Sequence, residues 1–285
     1  ILGEESAKGL KALTLDLAHL APYPDFISKS IKTQGVLIGF SRDTGSPVMI
    51  NPESLLRHVL VVGPTGTGKT TFIYTLSLRI VESLQIPVLV FDYKGDYRVI
   101  LGELDERIKV VKLYHEPPFV FSLGRGNIEV KSKRISEALS TILRLNTGEA
   151  KILEDVISRT LLSKREVSID DLIEYSAKYS KEISIKLRSL RKSRYYKLEL
   201  PPGKVIIYDF SGLSIEEKIA FTTLLLEEVL CRYGFEPSTT LKAIICVDES
   251  WILLRDTSAG KLLLRLVKQG RGLGISIVLA TQDIE

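Results

Sequence analysis

The fold is decided by one stretch of the sequence, Val59-Leu60-Val61-Val62-Gly63-Pro64-Thr65-Gly66-Thr67-Gly68-Lys69-Thr70. Its first four residues are apolar and predict a buried strand, and residues 71–84 have the pattern of a helix. The closely spaced glycines between them let backbone N–H groups turn inward on a phosphate chain, at the positive end of the helix. A Gly-x-x-x-x-Gly-Lys-Thr pattern between a strand and a helix predicts a nucleoside triphosphate site.

The residues of this loop have different expected roles. Lys69 is expected to reach the β- and γ-phosphates, and Thr70 is expected to supply a hydroxyl to Mg²⁺. The predicted cofactors are therefore ATP and Mg²⁺. The predicted phosphate-binding set is Gly63, Pro64, Thr65, Gly66, Thr67, Gly68, Lys69, Thr70 and Thr71.

Other short apolar, β-branched runs also end in polar or acidic residues, and they predict further buried parallel strands. These runs are residues 87–91, 109–113, 205–208, 243–247 and 275–280. Helical patterns lie between them, most clearly over residues 215–233. The alternation predicts an α/β fold, a mostly parallel sheet with helices on both faces, and ligands at the carboxyl ends of its strands.

The alternation stops between Pro117 and Gly203, where helix-period apolar positions predict a helical insertion without strands. Expected helices cover residues 132–145, 148–163, 168–179 and 183–197, with Thr147 and Ser168 as N-caps. Before the core we expect a short helix and then an irregular or hairpin segment. The predicted division is a flanking segment at 1–54, the core at 55–116 and 203–285, and the insertion at 117–202.

The strand at residues 243–247 ends in two adjacent carboxylates, Asp248 and Glu249. A phosphate-binding loop needs such a partner, because Mg²⁺ requires an acidic ligand and the attacking water requires a base. Asp248 is therefore expected to hold Mg²⁺ together with Thr70, and Glu249 to act as general base. The last strand ends at Gln282, whose amide is a candidate sensor of the γ-phosphate or of the attacking water.

Three further segments, taken with the loop and the acidic pair, resemble the HerA/FtsK superfamily of P-loop motor ATPases, and HerA and VirB4-type proteins above all. The segments are Asp92-Tyr93-Lys94-Gly95-Asp96-Tyr97, Tyr208-Asp209-Phe210-Ser211-Gly212-Leu213-Ser214 and Arg271-Gly272-Leu273-Gly274, the last leading to Ala280-Thr281-Gln282. The likeness covers residues 55–100 and 203–285.

The resemblance implies a RecA-like core, a hexameric ring with ATP between subunits, and translocation of double-stranded DNA through the ring. It also implies that Arg271 acts on the γ-phosphate of the neighbouring subunit, with Arg265 and Lys268 as competitors for that role. The expected setting is DNA end processing or conjugation-like DNA transfer. A nuclease or a membrane complex is the expected partner.

Other readings of these motifs remain open at the level of sequence. A secretion or pilus-assembly ATPase would use the same residues to drive protein. A GTP-dependent switch is suggested by Asp92-Tyr93-Lys94-Gly95, which fits a DxxG element, although the chain has no NKxD motif that would read guanine. A nucleotide-binding scaffold with incidental hydrolysis is the fourth reading.

Composition bounds these readings only broadly. The chain has 285 residues, 45% of them hydrophobic and 26% charged, which is typical of a soluble globular protein. It has no apolar run long enough to span a bilayer, so we expect it in the cytoplasm or at the cytoplasmic face of a membrane complex. Scarce Gln, Asn and Met with abundant charged residues suggest a thermophilic source.

Three smaller features carry expectations of their own. The stretch from Lys181 to Lys197 has seven basic residues, which suit either a DNA backbone contact or a solvated helix face. His58 is expected to pack or make a local hydrogen bond beside the loop. Trp251 is expected in the core rather than as a base-stacking platform.

Overall fold

The computed structural model describes residues 35–97, 105–124, 126–234, 236–253 and 258–282. Strands are numbered in chain order within these ranges. They are β1 (Val36–Phe40), β2 (Pro47–Ile50), β3 (Val59–Val62), β4 (Val88–Asp92), β5 (Ile108–Lys112), β6 (Val120–Ser122), β7 (Glu166–Ser168), β8 (Val205–Asp209), β9 (Ala243–Val247) and β10 (Ile275–Thr281).

Helices are numbered in the same way. They are α1 (Pro52–Leu55), α2 (Lys69–Leu84), α3 (Ile128–Leu143), α4 (Thr147–Ser163), α5 (Ile169–Ser176), α6 (Lys181–Arg188), α7 (Ile215–Tyr233) and α8 (Ser258–Leu273). A single 3₁₀ turn, Ser250–Ile252, follows β9. No helix in the described ranges is both long and apolar enough to cross a membrane.

Six strands form one parallel sheet in the order β3-β10-β9-β4-β8-β5. Its register aligns the carboxyl ends of neighbouring strands: Val62 lies opposite Thr281, and Asp92 lies opposite Asp209. The loops that leave these strands therefore meet along one edge of the sheet, which is where the sequence predicts the ligand.

Both faces of the sheet are buried, which explains why its strands read as continuous apolar runs. In β4, Leu89 and Phe91 belong to one hydrophobic cluster, and Val88 and Val90 belong to the other. Side chains of α2 complete the second cluster, and those of α3, α4, α7 and α8 complete the first. The predicted α/β fold with helices on both faces of a parallel sheet is confirmed.

The segment between β5 and β8 contains α3 to α6, but it also contains a short antiparallel pair, β6 and β7, in which Val120 lies opposite Ser168. The prediction that this segment has no strand is wrong. Three-residue strands are too short to show a period of two in the sequence. Apolar residues of this segment and of the sheet belong to the same hydrophobic cluster.

Helix starts in this segment are set by side-chain caps. Ser168 caps α5, as predicted, and accepts a hydrogen bond from the backbone of Asp171. At α4 the cap is Asn146 and not the predicted Thr147. The Asn146 side chain accepts from the Glu149 backbone at 3.0 Å, and the Glu149 carboxylate accepts from the Asn146 backbone at 2.9 Å. This reciprocal pair satisfies two helix-end donors, whereas Thr147 lies one position too late to do so.

The predicted helix over residues 183–197 is also wrong beyond Arg188, where α6 ends. Farther along, Tyr196, Leu198 and Leu200 are buried while the residues between them are exposed. This period of two belongs to extended chain. The Tyr196 backbone donates to the carbonyl of Pro117 at 2.8 Å, so the chain here is tied to a neighbouring segment rather than to its own preceding turn.

Before the core, β1 and β2 form an antiparallel hairpin. The hairpin contacts α2, where the Arg79 guanidinium donates to the Leu37 carbonyl at 3.0 Å. A hairpin was one of the predicted forms of this segment. The predicted short helix before it lies outside the described residues.

Candidate nucleotide site

The phosphate loop joins β3 to α2 in a conformation that needs glycine. Gly66 and Gly68 have φ values of 82° and 91°, in the left-handed region that side chains with a Cβ rarely adopt. Gly68 immediately precedes the first turn of α2. The loop therefore places the free N–H groups of the helix start at the carboxyl edge of the sheet.

Lys69 folds back over this loop. Its ammonium donates to the carbonyls of Gly63 at 2.7 Å and Pro64 at 2.9 Å, and Thr67 also donates to Pro64 at 2.8 Å. Only 8% of Lys69 is exposed. Among the described residues no carboxylate pairs with this buried ammonium, so an anion in the loop is its natural partner.

Thr70 and Asp248 come together from distant parts of the chain. The Thr70 hydroxyl donates to Asp248 Oδ2 at 2.7 Å. Burial raises the pKa of Asp248, and the hydrogen bond from Thr70 offsets part of that effect. A nearby cation would stabilise the charged carboxylate. One hydroxyl and one carboxylate fit Mg²⁺, which takes few protein ligands and completes its shell with water and phosphate oxygens.

Glu249 has a left-handed backbone, with φ 57° and ψ 45°, which is uncommon for a residue with a side chain. Its side chain is nearly buried. Oε1 accepts from the Lys94 ammonium and from Gln282 Nε2 at 2.8 Å, and Oε2 accepts from Trp251 Nε1 at 2.5 Å. Burial alone would raise the pKa of Glu249, but the hydrogen bonds from these three donors outweigh it and hold the pKa below its usual range.

Gln282 connects the acidic pair to the phosphate loop. While its amide nitrogen donates to Glu249, its amide oxygen accepts from Thr65 Oγ1 at 2.7 Å. The predicted sensor therefore lies between the loop and the predicted base. Thr71, the last member of the predicted phosphate-binding set, is an exposed residue in the first turn of α2.

Asp92 organises the loop after β4 rather than facing a ligand. Its Oδ1 accepts from the backbones of Lys94 at 3.1 Å and Gly95 at 2.7 Å, and its Oδ2 accepts from the Tyr97 backbone at 3.0 Å. Tyr74 donates to the same oxygen at 2.8 Å. These bonds give no support to the interpretation of Asp92-Tyr93-Lys94-Gly95 as a GTPase element, because they use the carboxylate to hold its own loop and Tyr74 of α2.

This loop also carries Lys94, a residue of the site to which the sequence analysis gave no role. Lys94 lies in the loop after β4 whose backbone donates to Asp92. Its ammonium donates to Glu249, which is 155 positions away in the sequence. The only sequence signal was its place in the Asp-x-Lys-Gly-Asp-Tyr segment. The expectation for Trp251 was wrong: 40% of it is exposed, and its indole N–H binds Glu249.

Arg271 is not brought to the phosphate loop by any described contact. It lies exposed in the last turn of α8, and its side chain has no hydrogen-bond or ion-pair partner among the described residues. Of its two competitors, Arg265 donates to Gln269 on the same helix at 3.0 Å, and Lys268 is exposed.

The basic stretch from Lys181 to Lys197 is largely neutralised by nearby groups. Its ion pairs are Lys186 with Glu149, Arg191 with Asp170, Arg194 with Glu116, and Lys197 with Glu166, while Lys192 lies over the ring of Tyr114. Fewer free charges remain for a phosphate backbone than the sequence suggests.

Comparison with known proteins assigns the chain to a family. The model of the family described as "Helicase HerA, central domain" matches residues 35–229. The chain belongs to the HerA central-domain family. The predicted resemblance to P-loop ATPases of the HerA and VirB4 type is thereby confirmed. The matched residues include the phosphate loop and Lys94, while Asp248, Glu249 and Gln282 follow them.

Curated relatives extend the HerA likeness over most of the chain. It is 25% identical to the DNA import protein CedB of Sulfolobus acidocaldarius, over 95% of this chain and 47% of that protein. It is 24% identical to the DNA double-strand break repair helicase HerA of Saccharolobus solfataricus, over 89% of this chain and 56% of that protein. The chain thus spans about half the length of the curated relatives it matches.

Solved structures with the same fold include VirB4 of Thermoanaerobacter pseudethanolicus, with a TM-score of 0.62 at 18% identity, covering 88% of this chain and 78% of that one. The plasmid coupling protein TrwB in complex with ADP and Mg²⁺ has a TM-score of 0.55 at 16% identity, covering 91% of this chain and 70% of that one. At these identities the likeness shows a shared P-loop NTPase fold.

Proposed function

We propose that this chain is the ATP-hydrolysing core of a motor that moves double-stranded DNA. The observation that carries the proposal is the meeting of Thr70, Asp248, Glu249 and Gln282 around one phosphate loop. A loop that only bound nucleotide would need no second carboxylate. The buried Glu249 beside the metal position supplies the base that hydrolysis requires.

Each residue has a distinct part in this proposal. Lys69 would leave the loop carbonyls and bind the β- and γ-phosphates. Thr70 and Asp248 would hold Mg²⁺, which neutralises phosphate charge when bound. Glu249 would accept a proton from the attacking water, and Gln282 would sense the terminal phosphate through its position between Thr65 and Glu249.

DNA is favoured as the substrate by the names of the relatives, a DNA import protein and DNA repair helicases. TrwB, which shares the fold, is described as a conjugative coupling protein. We extend the proposal to a homo-oligomeric, hexameric ring in the cytoplasm or at a membrane complex, in which Arg271 reaches the nucleotide of the neighbouring subunit. A nuclease or a membrane complex is the proposed partner, in repair or in DNA transfer.

The test is ATP hydrolysis by the protein with and without linear duplex DNA, at low and moderate salt. We expect duplex to stimulate hydrolysis, and we expect the stimulation to weaken as salt rises, because phosphate contacts release counterions. Glu249→Gln should lower turnover by about 100-fold or more while ATP still binds. Lys69→Ala should weaken ATP binding itself.

Each other result has a definite meaning. Hydrolysis that depends on both residues but ignores duplex would favour a motor that drives protein. Preference for GTP over ATP would favour a switch. Full biological activity in Glu249→Gln would make the protein a nucleotide-binding scaffold and would overturn the proposal.

A further inference from the structure

We propose that Lys94 is a positioning residue whose ammonium holds the Glu249 carboxylate away from water. We call this contact the lock, and we propose that it opens when the γ-phosphate of a nucleotide attracts the Lys94 ammonium away from Glu249. The proposal rests on the proposed role of Glu249 as general base. It concerns the one cation that contacts the predicted base among the described residues.

The first support is the state of the Glu249 carboxylate. Both oxygens are already occupied, Oε1 by Lys94 and Gln282 and Oε2 by Trp251. Oε1 already accepts two hydrogen bonds, so a water can bind to this oxygen and pass a proton to it only after Lys94 or Gln282 has left.

The second support is that the Lys94 side chain has room to leave Glu249. Its side chain is 47% exposed, whereas that of Glu249 is 6% exposed. It stands on a loop whose backbone is pinned by Asp92, so the ammonium can swing while the loop stays fixed. Ammonium is a mobile point charge on a long stem, suited to exchange between anions.

The third support is a connection between the lock and the phosphate loop. Thr65 in the loop holds Gln282 at 2.7 Å, and Gln282 holds the same oxygen of Glu249 that Lys94 holds. ATP in the loop would bring its γ-phosphate to this edge of the sheet, and this phosphate is an anion of higher charge than a carboxylate. ADP lacks that phosphate, so ADP should leave the lock closed.

The chain provides its own probe, because Trp251 is its single tryptophan and its indole N–H binds Glu249. Release of Glu249 breaks or alters that hydrogen bond and changes the emission of Trp251. We expect a non-hydrolysable ATP analogue with Mg²⁺ to change the emission, and ADP with Mg²⁺ to leave it near the nucleotide-free value.

Three variants test the lock. Lys94→Met should show the analogue-bound emission without any nucleotide. Its rate of ATP hydrolysis without DNA should rise by about fivefold, which is the size of effect expected from the loss of a partly exposed ion pair. Its KM for ATP should stay close to that of the wild type. Lys94→Arg should restore the analogue-dependent emission change. Lys112→Met removes an exposed lysine at the same edge of the sheet and should behave as wild type.

Nucleotide binding is measured on the same samples by calorimetry, so two failures can be told apart. If nucleotide binds but Lys94→Met responds to the analogue as the wild type does, or if ADP and the analogue act alike, the lock is refuted. If the wild type and Lys112→Met bind no nucleotide, the proposed function itself fails and the lock with it.

Discussion

A single side chain, His58, joins three elements beside the phosphate loop. It precedes β3, its Nε2 lies 2.8 Å from the Val267 carbonyl in α8, and its Nδ1 accepts from the Ile277 backbone of β10 at 3.1 Å. With Nδ1 an acceptor and Nε2 a donor, the ring must be neutral. Burial lowers the pKa of His58, and the hydrogen bond to Val267 offsets part of this effect. The expected structural role is confirmed.

This neutral ring predicts a pH dependence of stability. Because the folded pKa lies below the ordinary value of 6.5, the stabilisation is complete above that pH and is lost as pH falls through the folded pKa. Urea unfolding at pH 7.5 and 5.0 should show a loss for the wild type that is smaller for His58→Asn. Asn is the control because it tolerates the left-handed φ of 68°. Equal losses in both proteins would show that other groups titrate instead.

At the scale of elements, the main helix–helix interface is between α3 and the long helix α7. Lys131, 2% exposed at its side chain, donates to Glu228 Oε1 at 2.7 Å across this interface. Burial works against the charge of Lys131, but Glu228 and Cys231 raise its pKa overall. The pair connects the segment after β5 to the helix that covers the sheet.

Lys131→Met should therefore destabilise the protein strongly. The change leaves Glu228 buried without its cation, which typically costs about 3–5 kcal/mol of unfolding free energy. The double variant Lys131→Met with Glu228→Gln should recover part of the loss, since no charge then remains buried. Denaturant unfolding of the two variants measures both. A double variant no more stable than the single one would show that packing, and not the uncompensated charge, dominates the interface.

At the scale of the whole molecule, α8 carries a set of basic side chains next to β10. Helix α8 carries Lys261, Arg265, Lys268 and Arg271 and has no acidic residue. An exposed basic helix next to β10 is consistent with the proposal that Arg271 serves a neighbouring subunit. In a head-to-tail ring, such a residue completes a site that its own chain cannot complete.

Mixing two inactive variants tests this arrangement. Arg271→Ala and Glu249→Gln should each hydrolyse ATP poorly, but a 1:1 mixture should recover up to about a quarter of wild-type turnover. In a randomly mixed ring, about one interface in four pairs an intact Glu249 with an intact Arg271. A mixture no more active than its components would place Arg271 outside the neighbouring site.

Local patterns in the sequence were enough to predict the α/β fold, the phosphate loop and the acidic pair. Each depends on residues close in sequence: glycines that permit φ values no other residue favours, and apolar runs long enough to be buried on both sides. Errors arose where the signal was short or ambiguous, as in β6, β7 and the extended chain around Tyr196.

Tertiary structure alone decided which distant groups meet. The contact of Lys94 with Glu249, the exposure of Trp251, and the ion pairs of Lys186 and Lys197 all depend on how segments far apart in the sequence pack together. Sequence determines what each segment can form by itself, because backbone conformation and burial period are local. The pairing of charges across the molecule is not local, since it is fixed only when helix packing and sheet register set the distances between separate segments.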